Sequence, residues 1–390
     1  MNEIPLVILT PAKIYEPYPI TSVVLKVAAG CNLNCSYCYE YNMGDDSWKR
    51  KPAGISDDIV RLLATRIRDH VARWGQKEFT ISLHGGEPML LGAARISRIV
   101  SLLRDGIGDA TQLNFGMQTN GTLLDDDAVR VLNCAGVQIG VSLDGDGRAN
   151  DLYRVDRNGN GSHARATAGI EAIRRTAPEA FGGILCVINE LSNPAETLAH
   201  LASFNPPVID FLLPHGNWDR MPPHKDGGMD LRYGRWLCAA FDAWFDGPFS
   251  HISVRYFESL LAEMMGGHST TEAIGPGVVT LLTIATDGAM EGVDTMKSVY
   301  PGAQDLKIKL DLCSFDDALK AEHLKMRQCG LEGLCDECKA CKIGHICGGG
   351  YFPHRFGNNR GFHNPSVYCH DILMLAEHMR LRVKQAVSKS

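Results

Sequence analysis

Short apolar runs alternate, through the first half of the chain, with longer stretches in which apolar residues return every three or four positions. Such runs bounded by glycine and polar residues predict strands, and the longer period predicts helices. Strands are expected at Val23–Val27, Phe79–Leu83, Asn114–Thr119, Val137–Leu143, Gly183–Val187 and Val208–Leu213, with helices at Asp126–Asn133, Gly169–Arg175 and Pro194–Phe204. Ser56 is placed to cap a further helix whose Ile59, Leu62, Leu63 and Ile67 share a face. This βα rhythm predicts an α/β fold, a partial (β/α)6 TIM-like barrel in which Glu87, Asn120, Ser142 and Leu213 fall at the carboxyl ends of strands, where such barrels place their working residues. Towards the end, Leu373, Leu375, Ala376, Met379, Leu381 and Val383 alternate with polar and basic residues and predict an amphipathic helix over 372–387. The expected plan is an amino-terminal arm (1–20), the barrel (21–235), a helical linker (236–270) and a small cysteine-rich domain closed by that helix (271–390).

Candidate chemistry starts at Cys31-Asn32-Leu33-Asn34-Cys35-Ser36-Tyr37-Cys38. That spacing can hold three irons of a four-iron cluster and leave the fourth open, because no further cysteine follows until Cys134. Zinc is the alternative for the same soft ligands, although its sites favour paired CxxC units and this run has one. Seven of the thirteen cysteines lie from Cys313 to Cys369, and in a chain of 390 residues without a secretion signal they read as metal ligands rather than disulfides. Glu3 and Pro5 stand where a signal peptide would be basic and then apolar, and no apolar run is long enough to span a membrane, so a cytoplasmic protein is expected. A formal charge of −6 and a pI near 6.2 argue against nucleic acid as a main partner.

The CxxxCxxC run, set after an apolar strand and with Tyr37 before its last cysteine, resembles the cluster motif of the radical S-adenosylmethionine (SAM) enzymes. His84-Gly85-Gly86-Glu87-Pro88 resembles that family's GGEP segment, Gln118-Thr119-Asn120-Gly121 its next strand end, and Ser142-Leu143-Asp144-Gly145 the one after. The resemblance implies a radical SAM barrel, with a 4Fe–4S cluster on Cys31, Cys35 and Cys38 and SAM on the open iron. Gly85 and Gly86 would let backbone approach the cofactor, and Glu87 would accept hydrogen bonds from its ammonium group. Asn120 and Leu213 would line the cofactor at their strand ends. Ser142 and Asp144 would position the ribose or carboxylate, and either Arg154 or Arg157 would neutralise that carboxylate. Tyr37 would pack on the adenine or shield the cluster. For the GGEP segment a tight turn with an exposed acid, and for 151–161 a solvated loop, stay open as the plainer readings.

Cys338-x2-Cys341-x5-Cys347, followed by Cys369, resembles the auxiliary-cluster half of the SPASM extension of peptide-modifying radical SAM enzymes, with a zinc ribbon as the structural alternative. Two departures stand out. Tyr351 occupies the place of a further expected cysteine, and none of the first auxiliary cluster's cysteines is found over Thr280–Lys297. One auxiliary 4Fe–4S cluster is therefore the simpler expectation, with Cys313, Cys329 and Cys335 as ordinary buried thiols unless they serve a second.

Asp210-Phe211-Leu212-Leu213-Pro214-His215, the segment from Asp287-Gly288 to Asp294-Thr295-Met296-Lys297, and the strings around Tyr351–Arg355 and Gly361–Cys369 resemble FxsB-type SPASM proteins. That group includes enzymes that make cyclophane crosslinks in ribosomal peptides. The resemblance implies a peptide cyclase, with a ribosomal precursor peptide as substrate and a one-electron donor such as a flavodoxin or ferredoxin as partner. A base is required, for which Asp210, His215, Glu291, Asp294 and His354 qualify by residue type. Only about twenty residues precede the first strand, too few for a separate leader-binding domain, so the barrel mouth is expected to grip the peptide. The alternatives are a sulfatase-maturing or other SPASM oxidase acting on a protein or peptide, and a non-catalytic metal-binding module.

Overall fold

The computed structural model describes residues 16–388, so residues 1–15 of the expected arm lie outside it. The described chain forms two compact units, one built from residues 17–185 and 280–325, the other mainly from 186–279 and 326 onward.

In the first unit, β1 (Ser22–Ala28), β2 (Glu78–Gly85), β3 (Gln112–Thr119), β4 (Val137–Ser142) and β5 (Phe181–Val187) pair in sequence, every pair parallel. Every second residue is a large apolar one turned inward: Val23 and Leu25, Ile81 and Leu83, Ile139 and Val141 are all fully buried. Helices Asp57–Trp74, Ala93–Ile107, Asp126–Cys134 and His163–Thr176 make the crossovers. Ser56 caps the first of these as expected, its Oγ accepting from the Ile59 N–H at 3.3 Å. The buried face is centred on Val60, Leu63 and Ile67 rather than on Ile59 and Leu62, which are only half covered.

On its other side β1 pairs with β8 (Leu281–Ile284), again parallel, and a hairpin returns through β9 (Ala289–Glu291) to β10 (Asp305–Lys309), the sheet's edge. Across β1 and β2, Lys26 lies opposite His84. Both sit among strands whose neighbours are apolar, and the lysine is 4% exposed.

In the second unit, β6 (Val208–Leu212) pairs in parallel with the short β7 (Ser253–Val254). Aromatic rings fill its core: Phe211 meets Trp236 edge-on at 5.1 Å and Phe257 at 5.9 Å. The carboxyl-terminal helix runs Cys369–Val387, and its buried face is Ile372, Leu375, Ala376 and Met379. The expected stripe stops there: Leu381 is exposed, and the turn beyond it is tied by charge, with Arg382 Nε 3.1 Å from Asp242 Oδ1 and its Nη2 on Asp246.

Asp371 anchors this helix. Its carboxylate takes the Lys225 ammonium at 2.6 Å and the Gly234 N–H at 2.7 Å, and neither side chain of the ion pair has any exposed surface. Removing one member strands the other without water. Asp371→Ala should cost about 3–5 kcal/mol in denaturant unfolding, and a Lys225→Met, Asp371→Leu double variant should recover most of that loss.

Candidate active site

The loop after β1 carries Cys31, Cys35 and Cys38, and its shape is set by backbone contact with the segment after β2. Gly86 donates its N–H to Ala28 O at 3.0 Å, and Glu87 donates to Gly30 O at 2.9 Å. A side chain at Gly86 would run into the Gly30 carbonyl and the Tyr41 hydroxyl. The glycines thus permit a close approach as expected, and the partner seen is the cysteine loop's own backbone.

Glu87 is fully buried, which rules out the exposed acid of the plainer reading. Its Oε1 accepts from Met89 N–H at 2.9 Å and Thr119 Oγ1 at 2.6 Å, and its Oε2 accepts from Asn120 N–H at 2.8 Å. Burial pushes its pKa up, against those hydrogen bonds. Pro88 begins a short 3-10 turn that Glu87 caps. Asn120 Nδ2 then reaches Asn32 Oδ1 at 2.8 Å and Cys31 Sγ at 3.9 Å, so the end of β3 also holds the cysteine loop.

The Tyr37 ring meets Tyr153 edge-on at 6.2 Å. The Tyr37 hydroxyl donates to Asp144 and accepts from Arg154 Nη1 at 2.8 Å, so the half-buried Tyr37 joins the buried Asp144 and Arg154 in one chain beside Cys35. The two arginines part company: Arg154 is 8% exposed within this chain, whereas Arg157 is on the surface with Nη2 3.5 Å from the Cys31 carbonyl. Ser142 Oγ accepts from Gln118 Nε2 at 2.9 Å at the end of β4.

The three thiols suit an iron–sulfur cluster. Each of Cys31 and Cys38 lies within electrostatic reach of Cys35, and the Cys31 sulfur accepts from the Leu33 N–H at 3.4 Å. Burial pushes Cys31 up to about 11 and Cys38 up to about 12, so binding of iron to these thiols releases protons.

Glu40, two residues after Cys38, belongs to a group of buried charges whose pairing is not visible in the sequence. Lys26 Nζ meets Asp294 Oδ2 at 2.5 Å and Glu40 Oε2 at 3.2 Å, and Lys297 Nζ meets Glu40 Oε1 at 2.5 Å. Glu291 joins at the far side, with Lys51 at 2.7 Å. Tyr39 donates to Asp294 at 2.7 Å. Two expected base candidates, Glu291 and Asp294, are therefore held in ion pairs, and the Asp294 carboxyl is kept well below the usual carboxylate range by Lys26, against its burial. Lys26 itself is held well above the usual lysine range by the same partners, also against burial. His84 is lowered to about 4 by burial and by Lys26.

In the second unit, Cys335 (2% exposed), Cys338 (6%) and Cys347 (8%) are buried near one another, with Cys341 and Cys369 half-buried in the same electrostatic neighbourhood. Cys335 is as buried as an ordinary core thiol, but its neighbours are the other thiols. Its place three residues before Cys338 was the available signal. Arg355, one residue after His354, faces Cys347, Cys338 and Cys335 and donates to the Gly350 carbonyl at 2.7 Å. His215, Tyr351 and His354 pack ring against ring at 5.2–6.0 Å. Burial keeps His354 neutral, and its Nε2 is buried without a hydrogen-bond partner. Asp210 pairs with Arg255 Nε at 2.9 Å, and Leu213 follows directly after β6. The five base candidates thus fall in three separate places: the buried charges, the aromatic group and the Asp210–Arg255 pair.

Because Gly86 touches the Gly30 backbone, Gly86→Ala should displace the cysteine loop, and the variant should retain iron about 10-fold less well after reconstitution, measured as iron per chain under chelator challenge.

The radical SAM superfamily model matches residues 25–202. Over 344 residues the chain is 24% identical to a cysteine-type anaerobic sulfatase-maturating enzyme of Clostridium perfringens, covering 85% of this chain and 88% of that one. Over 363 residues it is 26% identical to a serine-type anaerobic sulfatase-maturating enzyme of Klebsiella aerogenes, covering 88% of this chain and 83% of that one. The solved structure of native anSMEcpe with bound AdoMet has the same fold, with a TM-score of 0.79 at 21% identity over 95% of this chain and 100% of that one. The likeness to the radical SAM superfamily is accordingly carried by residues 25–202, which include the three-cysteine loop, the glycines after β2 and the ends of β3 and β4.

Proposed function

We propose that the chain is a radical SAM maturase that oxidises a serine or cysteine side chain of a protein or peptide to an aldehyde. The observation that carries this reading is the extent of the likeness: the cysteine-type and serine-type maturating enzymes match 85% and 88% of this chain, far beyond residues 25–202. The cyclophane reading rests on short strings alone, so the oxidation, first held as the alternative, takes precedence. What weakened it was the lack of cysteines over Thr280–Lys297. The buried ion pairs of Asp294 and Lys297 offer that hairpin another means of attachment.

On this reading Cys31, Cys35 and Cys38 hold the 4Fe–4S cluster, and an auxiliary cluster draws its ligands from Cys335, Cys338, Cys341, Cys347 and Cys369. The chemistry that SAM would supply when bound there is a deoxyadenosyl radical, formed with one electron from the reductant and able to take a hydrogen atom from the substrate Cβ. One more electron, passed to an acceptor of the flavodoxin or ferredoxin class, and one proton must then leave. Serine is left as an aldehyde; cysteine is left as a thioaldehyde, which water converts to the aldehyde with release of hydrogen sulfide. His354 suits the proton, since its ring is neutral and its Nε2 unpartnered, whereas Asp294 is committed to Lys26.

The test is mass spectrometry of peptides carrying one serine or one cysteine, treated with reconstituted enzyme, SAM and reductant. The serine peptide should lose two hydrogens and gain a carbonyl that hydrazine captures, and a Cys31→Ala, Cys35→Ala, Cys38→Ala protein should leave it unchanged. A loss of two hydrogens with no captured carbonyl, and with backbone fragmentation suppressed beside an aromatic residue, would return the assignment to a crosslink.

A further inference from the structure

The Asp294-Thr295-Met296-Lys297 segment, marked out in the sequence, has no part in the oxidation as described. It forms a short 3-10 turn after β9, and it sends two side chains towards the cysteine loop. Asp294 reaches Tyr39 at 2.7 Å and Lys26 at 2.5 Å, and Lys297 reaches Glu40 at 2.5 Å. Tyr39 and Glu40 are the two residues after Cys38. Glu40 is 7% exposed, its Oε1 held by Lys297 and its Oε2 by Lys26, so both carboxylate oxygens carry a cation. Beside it, the Tyr41 and Asn42 backbone N–H groups donate to the Cys38 carbonyl at 3.3 and 2.8 Å.

Hydrogen bonds to cluster sulfurs, local net charge and solvent access set the potential of an iron–sulfur centre. Charge and solvent exclusion meet at Glu40, two residues from Cys38. We infer that Lys26 and Lys297, by clamping the Glu40 carboxylate between them, fix the charge and the backbone next to Cys38 and set the reduction potential of the cluster on that loop. The two lysines are positioning residues, whose partners are the carboxylates of Glu40, Asp294 and Glu291. The inference rests on the reading that Cys31, Cys35 and Cys38 hold the cluster.

Charge gives the inference a sign. Lys297→Met leaves the Glu40 carboxylate with one cation fewer, so an added electron meets more uncompensated negative charge and the potential falls. Glu40→Gln removes the anion and leaves two cations facing a neutral amide, so the potential rises. Lys297→Arg keeps the charge and should return the potential to that of the parent protein.

The experiment is an EPR-monitored redox titration of the reconstituted full chain, following the reduced-cluster signal that changes when SAM is added. That response separates this centre from any auxiliary one. Opposite shifts for Lys297→Met and Glu40→Gln, with Lys297→Arg restored, are the expected result. Equal potentials, or shifts of the same sign, would overturn the clamp while leaving the cluster assignment in place. If Lys297→Met fails to hold iron, Glu40→Gln decides alone, because only a rise fits. A parent protein with no SAM-sensitive signal would overturn the cluster assignment itself, and the clamp with it.

Discussion

A lysine in the middle of a buried strand has to be paired, and the pairing of Lys26 organises the first unit. Its ammonium is out of water, so the cost of burial is offset only if carboxylates come to it. Glu40 and Asp294 do so, one from the end of the loop that carries the three cysteines and the other from the turn that follows β9. The strand β1, the cysteine loop that follows it and the turn at 294–298, distant from both in sequence, are thereby fixed to a single point. Since breaking one such pair leaves a charge stranded, the arrangement favours one geometry strongly over its alternatives, which is what a cluster loop needs.

From the other side the loop is held without charge. Gly86 and Glu87 hydrogen bond to Ala28 and Gly30 through backbone, and Glu87 spends its carboxylate on the ends of β2 and β3. The strand ends therefore act as a frame before they act as a binding surface. Asn120 belongs to both, since its side chain reaches Asn32 and the Cys31 sulfur. A frame of this kind lets the loop hold three thiols close to one another despite the repulsion among their charged forms, which iron relieves.

Much of this was legible in the sequence, for physical reasons. Strands whose alternate residues are apolar, such as Val137–Ser142, announce themselves because one face is buried in the core and the other is not. The cysteine spacing is legible because ligand geometry constrains it locally. What stayed hidden depends on pairing over long separations. Lys297 and Glu40 are 257 positions apart, and nothing near either residue marks it as the other's partner. Tyr37 and Arg154 are 117 positions apart, and an aromatic beside a cluster is equally compatible with shielding, stacking or, as here, a hydrogen bond. Cys335 is a buried thiol as expected, and what the sequence left hidden is that other thiols surround it, which burial in a core does not by itself imply. The apolar stripe at the end of the chain was read past Met379 because periodicity says which residues share a face and not whether anything covers it.

The account stands on one claim, that the loop from Cys31 to Cys38 supports reductive cleavage of SAM. The most direct measurement is chromatographic quantification of 5′-deoxyadenosine after the anaerobically reconstituted protein is mixed with SAM and a strong one-electron reductant, with no peptide present. Deoxyadenosine and methionine formed in equal amounts, and lost when Cys31, Cys35 and Cys38 are replaced by alanine, is the predicted result. No deoxyadenosine from protein carrying a full complement of iron would contradict the account.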